Sequence, residues 1–202
     1  MKIGLLARLI LLAALAGLLL ASALLLSVRL RPHVFAGTQL ATPQPAYDFS
    51  LTGSDQKPYR LTDLRGKLVL LYFGYTSCPD ECPNTTAILE SVIGQLGSRV
   101  AEVKVVMITV DPQKDTPKAL QVYFAKFGGR ILGLTGDLSA ITATANQYGV
   151  FFKKQTATDG SVSIQHTLLL ELIDRQGKIR VIYPYNTPAE AILSDVVDLL
   201  NQ

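Results

Sequence analysis

A three-layer α/β sandwich behind a membrane-spanning helix is the fold class that this 202-residue sequence predicts. Three observations predict it. Residues 9–28 carry no charge, which is long enough for a helix to cross a bilayer. Past that segment, apolar strand-like runs alternate with segments of helical spacing, in the order β-hairpin, βαβα, then ββα. The first fully apolar run of the βαβα unit, residues 68–73, leads straight into the chain's two cysteines. Open α/β sheets place their ligands at that C-terminal end of a strand.

The organisation expected is a membrane anchor over residues 1–30, a linker over 31–45 and one globular domain over 46–202. A cleaved signal peptide is the rival reading of the first segment, since Ala21-Ser22-Ala23 fits a small-residue cleavage pattern. The apolar run continues through Leu24-Leu25-Leu26, which favours an uncleaved anchor. Lys2 and Arg8 with the terminal amine nearly balance Arg29 and Arg31, so charge alone does not orient the helix. Those four residues also account for the net charge of +3. The rest of the chain has 15 basic against 16 acidic residues, with no basic patch and no case for nucleic-acid binding. Pro32, Gly37, Pro43 and Pro45 mark the linker, and His33 reads as an exposed residue within it.

Residues 49–52 and 59–61 form a short hairpin across Gly53-Ser54-Asp55. Residues 63–67 turn into the buried strand 68–73. After the cysteines, residues 85–96 carry Ile88, Leu89, Val92, Ile93 and Leu96 at helical spacing. Residues 103–110 are a second buried strand rich in β-branched side chains. A helix over 117–127 has Thr116 as N-cap and Pro117 at its first position. Residues 131–134 are short and apolar. A helix over 139–148 opens at Asp137 or Ser139. A strand over 166–173 turns at Asp174-Arg175-Gln176-Gly177 and pairs with 178–183, and Thr187-Pro188 open a last helix through Leu200. Two parallel strands followed by an antiparallel hairpin result.

The chemistry is concentrated in Gly74-Tyr75-Thr76-Ser77-Cys78-Pro79-Asp80-Glu81-Cys82-Pro83. Three residues separate the cysteines, not the two of a redox C-x-x-C. On one turn of helix, positions i and i+4 share a face with Cα atoms roughly 6 Å apart. That separation suits a disulfide, and equally two thiolates converging on one soft metal ion. A bridge closing so short a loop stabilises little, so a structural staple explains the pair poorly. A functional dithiol, redox or metal-binding, explains it better. A nearby helix N-terminus favours the thiolate form. His166 is one of two histidines and opens an apolar strand after a polar segment. Such a histidine is commonly a surface or satisfied core residue. Cys78, Cys82 and His166 together would offer two thiolates and an imidazole, a set that suits Cu(I) and tolerates Cu(II), whereas structural zinc wants four ligands. Asp111 and Asp115 read as turn and cap residues beside Pro112 and Pro117. Asp80 and Glu81 suit a helix start, and Tyr75 reads as packing.

With these residues in view, the chain resembles the Sco (SenC) family of copper chaperones of cytochrome oxidase assembly. The resemblance rests on the cysteine motif, on Thr109-Val110-Asp111-Pro112-Gln113-Lys114-Asp115-Thr116-Pro117, on Gly133-Leu134-Thr135-Gly136, and on His166 with the run Leu172-Ile173-Asp174-Arg175-Gln176-Gly177. It implies a thioredoxin-like fold and copper, Cu(I) or Cu(II), held by Cys78, Cys82 and His166. It implies a single-pass protein of the bacterial inner membrane facing the periplasm, or of the intermembrane space if mitochondrial. It also implies an upstream copper donor and a client, the copper-bearing subunit of cytochrome c oxidase with its binuclear copper site. The family motif places Asp111 and Asp115 in a loop lining the site. Gln165 and Thr167 stand where many members carry Asp and Ser, which removes a charged group beside the histidine. A metallochaperone, not a turnover enzyme, is the leading expectation. The alternative is a thiol-disulfide oxidoreductase cycling Cys78 and Cys82, with reduction of the client's copper-ligand cysteines as its task. A thiol peroxidase would need an activating base or arginine that the sequence does not display.

Overall fold

The computed structural model describes residues 4–29, 33–156 and 162–202. Lys2 and Arg31 of the charge comparison, residues 31–32 of the expected linker and residues 157–161 of the polar segment lie outside the described residues. The chain divides into two units, Met1–Val34 and Phe35–Gln202.

The first unit holds helix α1, Leu5–Arg29. Its 25 residues span about 37 Å at 1.5 Å per residue. The stretch Ala7–Leu24 is long and apolar enough to cross a membrane, and its side chains are exposed.

The second unit is built on an eight-stranded sheet. In chain order its strands are β1 (Thr38–Pro45), β2 (Ser50–Gly53), β3 (Pro58–Arg60), β4 (Leu68–Gly74), β5 (Val103–Thr109), β6 (Ile131–Thr135), β9 (Leu169–Ile173) and β10 (Lys178–Pro184). Strands β7 (Phe152–Thr156) and β8 (Val162–His166) form a separate antiparallel ribbon. Helices α2 (Glu81–Gln95), α3 (Pro117–Ala125), α4 (Leu138–Gln147) and α5 (Ala189–Leu200) complete the unit. Across the sheet the order is β1-β10-β9-β4-β5-β6-β2-β3. Strands β4, β5 and β6 are parallel, and β9 closes on β4 antiparallel.

All seven residues of β4 are buried, because both faces of the central strands are covered. On one face Leu70 and Tyr72 pack in a core with Leu89 of α2, Phe124 of α3 and Val196 of α5. On the other, Leu71 and Phe73 share a core with Ile141 of α4, Tyr148 at the C-cap of that helix, Leu51 of β2 and both cysteines. The sheet is therefore the middle layer of three, as expected. Thr116 does cap α3, accepting from the Ala119 amide at 3.2 Å, with Pro117 following. Asp137 is the residue at the N-cap of α4.

Four local expectations are corrected. Residues 131–134 are a third parallel strand, not merely a short apolar run. Residues 38–45 are not linker but an edge strand, with Thr38 opposite Ile182 and Pro45 opposite Lys178. Pro43 and Pro45 are tolerated there because an edge strand has amides that need no ladder partner. His33, read as exposed, is half-buried. Finally, His166 does not open the apolar strand. It ends β8, and β9 begins only at Leu169.

Candidate metal centre

The dithiol sits where β4 ends and α2 begins. Helix α2 starts at Glu81, with Asp80 at the N-cap, earlier than the helical spacing suggested. Cys82 is thus in the first helical turn. Cys78 lies before it in the loop, its amide donating to the Tyr75 carbonyl at 3.3 Å. The single-turn picture of the pair holds only for Cys82. Gly74 is required by this packing, since a Cβ there would lie 2.9 Å from the Cys82 sulfur.

Both cysteines are free thiols and both are buried. The Cys78 Sγ donates to Glu81 Oε2 at 3.2 Å. The Cys82 Sγ lies 3.9 Å from His166 Nε2. Burial, with the neighbouring Cys78 thiol adding to it, pushes the Cys82 thiol far above the ordinary range. His166 Nδ1 lies 3.1 Å from the Thr167 carbonyl, which can only accept, so the ring proton sits on Nδ1. Burial holds the imidazole's pKa below its ordinary value, keeping it neutral. The Nε2 lone pair therefore faces Cys82, the tautomer a metal ligand needs. The structure thus joins Cys82 to His166 and Cys78 to Glu81. Among the described residues no three side chains already converge as a metal cage.

Three side chains support the site through contacts that the sequence reading did not specify, although the family motif places Asp115 in the loop lining it. Glu81 is more than a favourable charge at a helix start: its carboxylate holds the Cys78 thiol. Its own backbone amide and that thiol draw its pKa below the usual range. Tyr75 packs its ring edge-on to His166, centroids 6.0 Å apart, and its hydroxyl accepts from the Ile164 amide at 3.2 Å. It thereby ties the ribbon to the cysteine loop. Asp115, read as a turn or cap residue, is fully buried and accepts from the Thr76 amide at 2.9 Å, the Thr76 hydroxyl at 2.5 Å and the Thr109 hydroxyl at 2.6 Å. It fixes the loop bearing Cys78 to the end of β5. Asp111 keeps its turn role, its carbonyl accepting from the Lys114 and Asp115 amides. Gln165 is exposed and bonds Gln155 across the ribbon.

Asp115→Asn leaves the site's shape but replaces an acceptor with an amide. A buried bond to a charged group contributes about 1.5–3 kcal/mol. The expected loss of stability is about 2 kcal/mol, read as a lower urea midpoint at unchanged slope. An unchanged midpoint would show that the three bonds do not hold the loop.

A sheet of this topology, with a dithiol at the strand-to-helix junction and a neutral histidine brought against it, defines a thioredoxin-like domain built for thiol or metal chemistry. The family match then covers residues 38–201, and the chain belongs to the SCO1/SenC family. An SCO2-like protein of Rickettsia felis is 32% identical over 146 residues, 71% of each chain. The copper-bound structure of Bradyrhizobium japonicum ScoI aligns at TM-score 0.71 with 32% identity, covering 77% of this chain and 99% of that one. Apo Sco1 from Thermus thermophilus aligns at TM-score 0.72 with 35% identity, covering 85% and 98%. The matched segment spans 64% to 71% of the bacterial relatives and 45% to 46% of the Arabidopsis thaliana mitochondrial ones. BsSco, a fold neighbour at TM-score 0.64 and 24% identity, is itself a member of the Sco family of cytochrome c oxidase assembly proteins.

Proposed function

We propose that this protein is a membrane-anchored copper metallochaperone, holding copper through Cys78, Cys82 and His166 and passing it to the binuclear copper site of cytochrome c oxidase. The observation that carries the reading is the Cys82 sulfur facing the unprotonated Nε2 of His166 at 3.9 Å, with Nδ1 tied to the Thr167 carbonyl. Family membership supports copper as the cargo, since relatives such as ScoI of Bradyrhizobium japonicum hold it. Two soft thiolates and an imidazole suit Cu(I) and admit Cu(II).

Loading requires Cys78 to leave Glu81 and Cys82 to lose its proton. Each thiol releases one proton as its sulfur bonds the metal. The raised pKa of Cys82 means that protons compete strongly, so affinity rises with pH. Hand-over proceeds by ligand exchange, one client donor replacing one of these three at a time.

The adjacent free thiols also suit a thiol-disulfide oxidoreductase. Burial of Cys82 weighs against it, because a thiol held protonated attacks disulfides slowly.

Titrating the reduced full-length chain with Cu(I) tests the proposal, and one equivalent is expected to bind. Oxidised protein, with Cys78 bridged to Cys82, is expected to bind essentially none. Stoichiometric metal on the disulfide form in mass spectrometry would exclude these ligands.

The N-terminal helix is long and apolar enough for a single-pass anchor, and the family resemblance favours a second unit exported to the periplasm, or to the intermembrane space in a mitochondrion. A reporter fused after Gln202 is expected to be active only on the exported side. Activity confined to the cytoplasm would reverse this topology.

A further inference from the structure

The face of the sheet that carries α4 is wider than the helix. At its β9–β10–β1 end lies a cavity of about 390 Å³ that shares no lining residue with the candidate metal centre. Glu171 of β9 lines it. The residue is 4% exposed, and among the described residues no donor reaches its carboxyl group, whose Oε2 is buried without a hydrogen-bond partner. Burial alone raises this carboxyl to about 8. A buried carboxyl without a donor is unfavourable to the fold and is removed or satisfied in most proteins.

The rest of the lining has a definite chemistry. Tyr47 and Tyr148 stand edge to face, centroids 6.1 Å apart. The Tyr148 hydroxyl donates to the Tyr47 carbonyl at 2.5 Å, so it is committed elsewhere and does not serve Glu171. Leu40, Ile179 and Ile182 supply apolar walls, and among the described residues no lysine or arginine lines the cavity. One acid, two aromatic rings, aliphatic walls and no base together describe a site for a cation on a short hydrocarbon stem. Aromatic faces attract cations, and the stem buries apolar surface.

We propose that this cavity binds an alkylammonium group, with Glu171 as its counter-ion, the rings of Tyr47 and Tyr148 around the cationic head, and the aliphatic walls around the stem. The same chemistry is carried by a free amine and by a lysine side chain of another protein. The site is separate from copper binding and does not depend on it.

The test titrates the detergent-solubilised full chain at about pH 9, where the Glu171 carboxyl is ionised and the amines remain protonated, with n-butylammonium, with 1-butanol and with a lysine capped at both ends, following backbone amide shifts by NMR. Five heavy atoms at a good efficiency correspond to a Kd on the order of 1 mM. Butylammonium is expected to saturate in that range and to move the amides of Gln44 and Glu171. Butanol is expected to bind at least about tenfold more weakly, the minimum that a charged partner should contribute. Glu171→Gln, which keeps the shape and removes the charge, is expected to lose at least about tenfold for butylammonium and little for butanol. Tyr47→Leu, at a half-exposed position, is expected to weaken the cation severalfold while leaving the alcohol unchanged. Tighter binding of capped lysine identifies a protein-borne partner, and tighter binding of butylammonium a free amine. Equal affinity for butanol and butylammonium, unchanged binding in Glu171→Gln, or no saturation overturns the proposal.

Discussion

Cys82→Ser is expected to lower Cu(I) affinity by more than about a hundredfold, the upper end of the cost of losing an outer partner of a metal site. Cys78→Ser should act alike, because each change replaces a soft thiolate with a hydroxyl that soft Cu(I) binds poorly. His166→Ala separates the oxidation states. Two thiolates retain Cu(I), more weakly, whereas Cu(II) is harder and depends on the imidazole. That variant is expected to lose the Cu(II)–thiolate charge-transfer absorption while keeping measurable Cu(I). A dithiol oxidoreductase predicts the reverse emphasis, with His166→Ala nearly silent and either cysteine change abolishing reductase turnover. Copper titration and absorption spectra of the three variants distinguish the readings. An unchanged Cu(II) spectrum in His166→Ala would take the histidine out of the site.

The second large effect concerns Glu171 and pH. Burial raises its carboxyl to about 8 in the folded chain, against 4.5 for a solvated glutamate. Between those values the folded state holds a proton that the unfolded state has released. Stability therefore falls as pH rises from about 4.5 to about 8 and is insensitive to this group outside that window. Each unit of difference corresponds to about 1.4 kcal/mol, so the loss across the window is on the order of a few kcal/mol. Glu171→Leu removes the group and is expected to flatten the profile, leaving the variant more stable than the parent at pH 8. Urea unfolding at pH 5 and pH 8 of both proteins is the measurement. Parallel profiles would mean that Glu171 does not titrate across this range.

What the sequence made legible was whatever carries a strong apolar signal. Strand β4 is buried on both faces and reads as a continuous apolar run, so the position of the cysteines at its end followed from the residues. Helix α3 announced itself through Thr116 and Pro117. Strand β1 did not, because an edge strand exposed along most of its length has no apolar face, and its prolines look like linker. The β7–β8 ribbon was equally silent. Lys153, Lys154 and Gln155 are exposed, and Ile164 is its one fully buried side chain among those described. That omission moved His166 onto the wrong strand, although its ring still lies 3.9 Å from the Cys82 sulfur. Residues acting through hydrogen bonds over long sequence separation were the hardest to see. Asp115 reaches back 39 positions to Thr76, and nothing in the local pattern around Pro117 distinguishes it from a turn residue. Glu171 was invisible for a related reason: a single acid in Leu169-Leu170-Glu171-Leu172-Ile173 looks like the solvent side of a strand, whereas β1 covers that end of the sheet.

The proposed copper site has one fixed jaw and one hinged jaw. Cys78 and Cys82 are set in the junction of a central strand and its helix, braced by Asp115. His166 rides on a ribbon that pairs with no strand of the main sheet. Two strands alone have little stability of their own, so this jaw is held shut mainly by what it touches. Its latch is the Tyr75 hydroxyl on the Ile164 amide, while the paired bonds between Phe151 and Thr167 close the base of the ribbon itself. Swinging such a flap aside is a local opening, far cheaper than disturbing the core. In the proposed hand-over, delivery would be timed by the latch: a client competing for Ile164 or for the imidazole would free one side of the ion while the sulfurs still hold the other, so that the ion is not released into water between hosts.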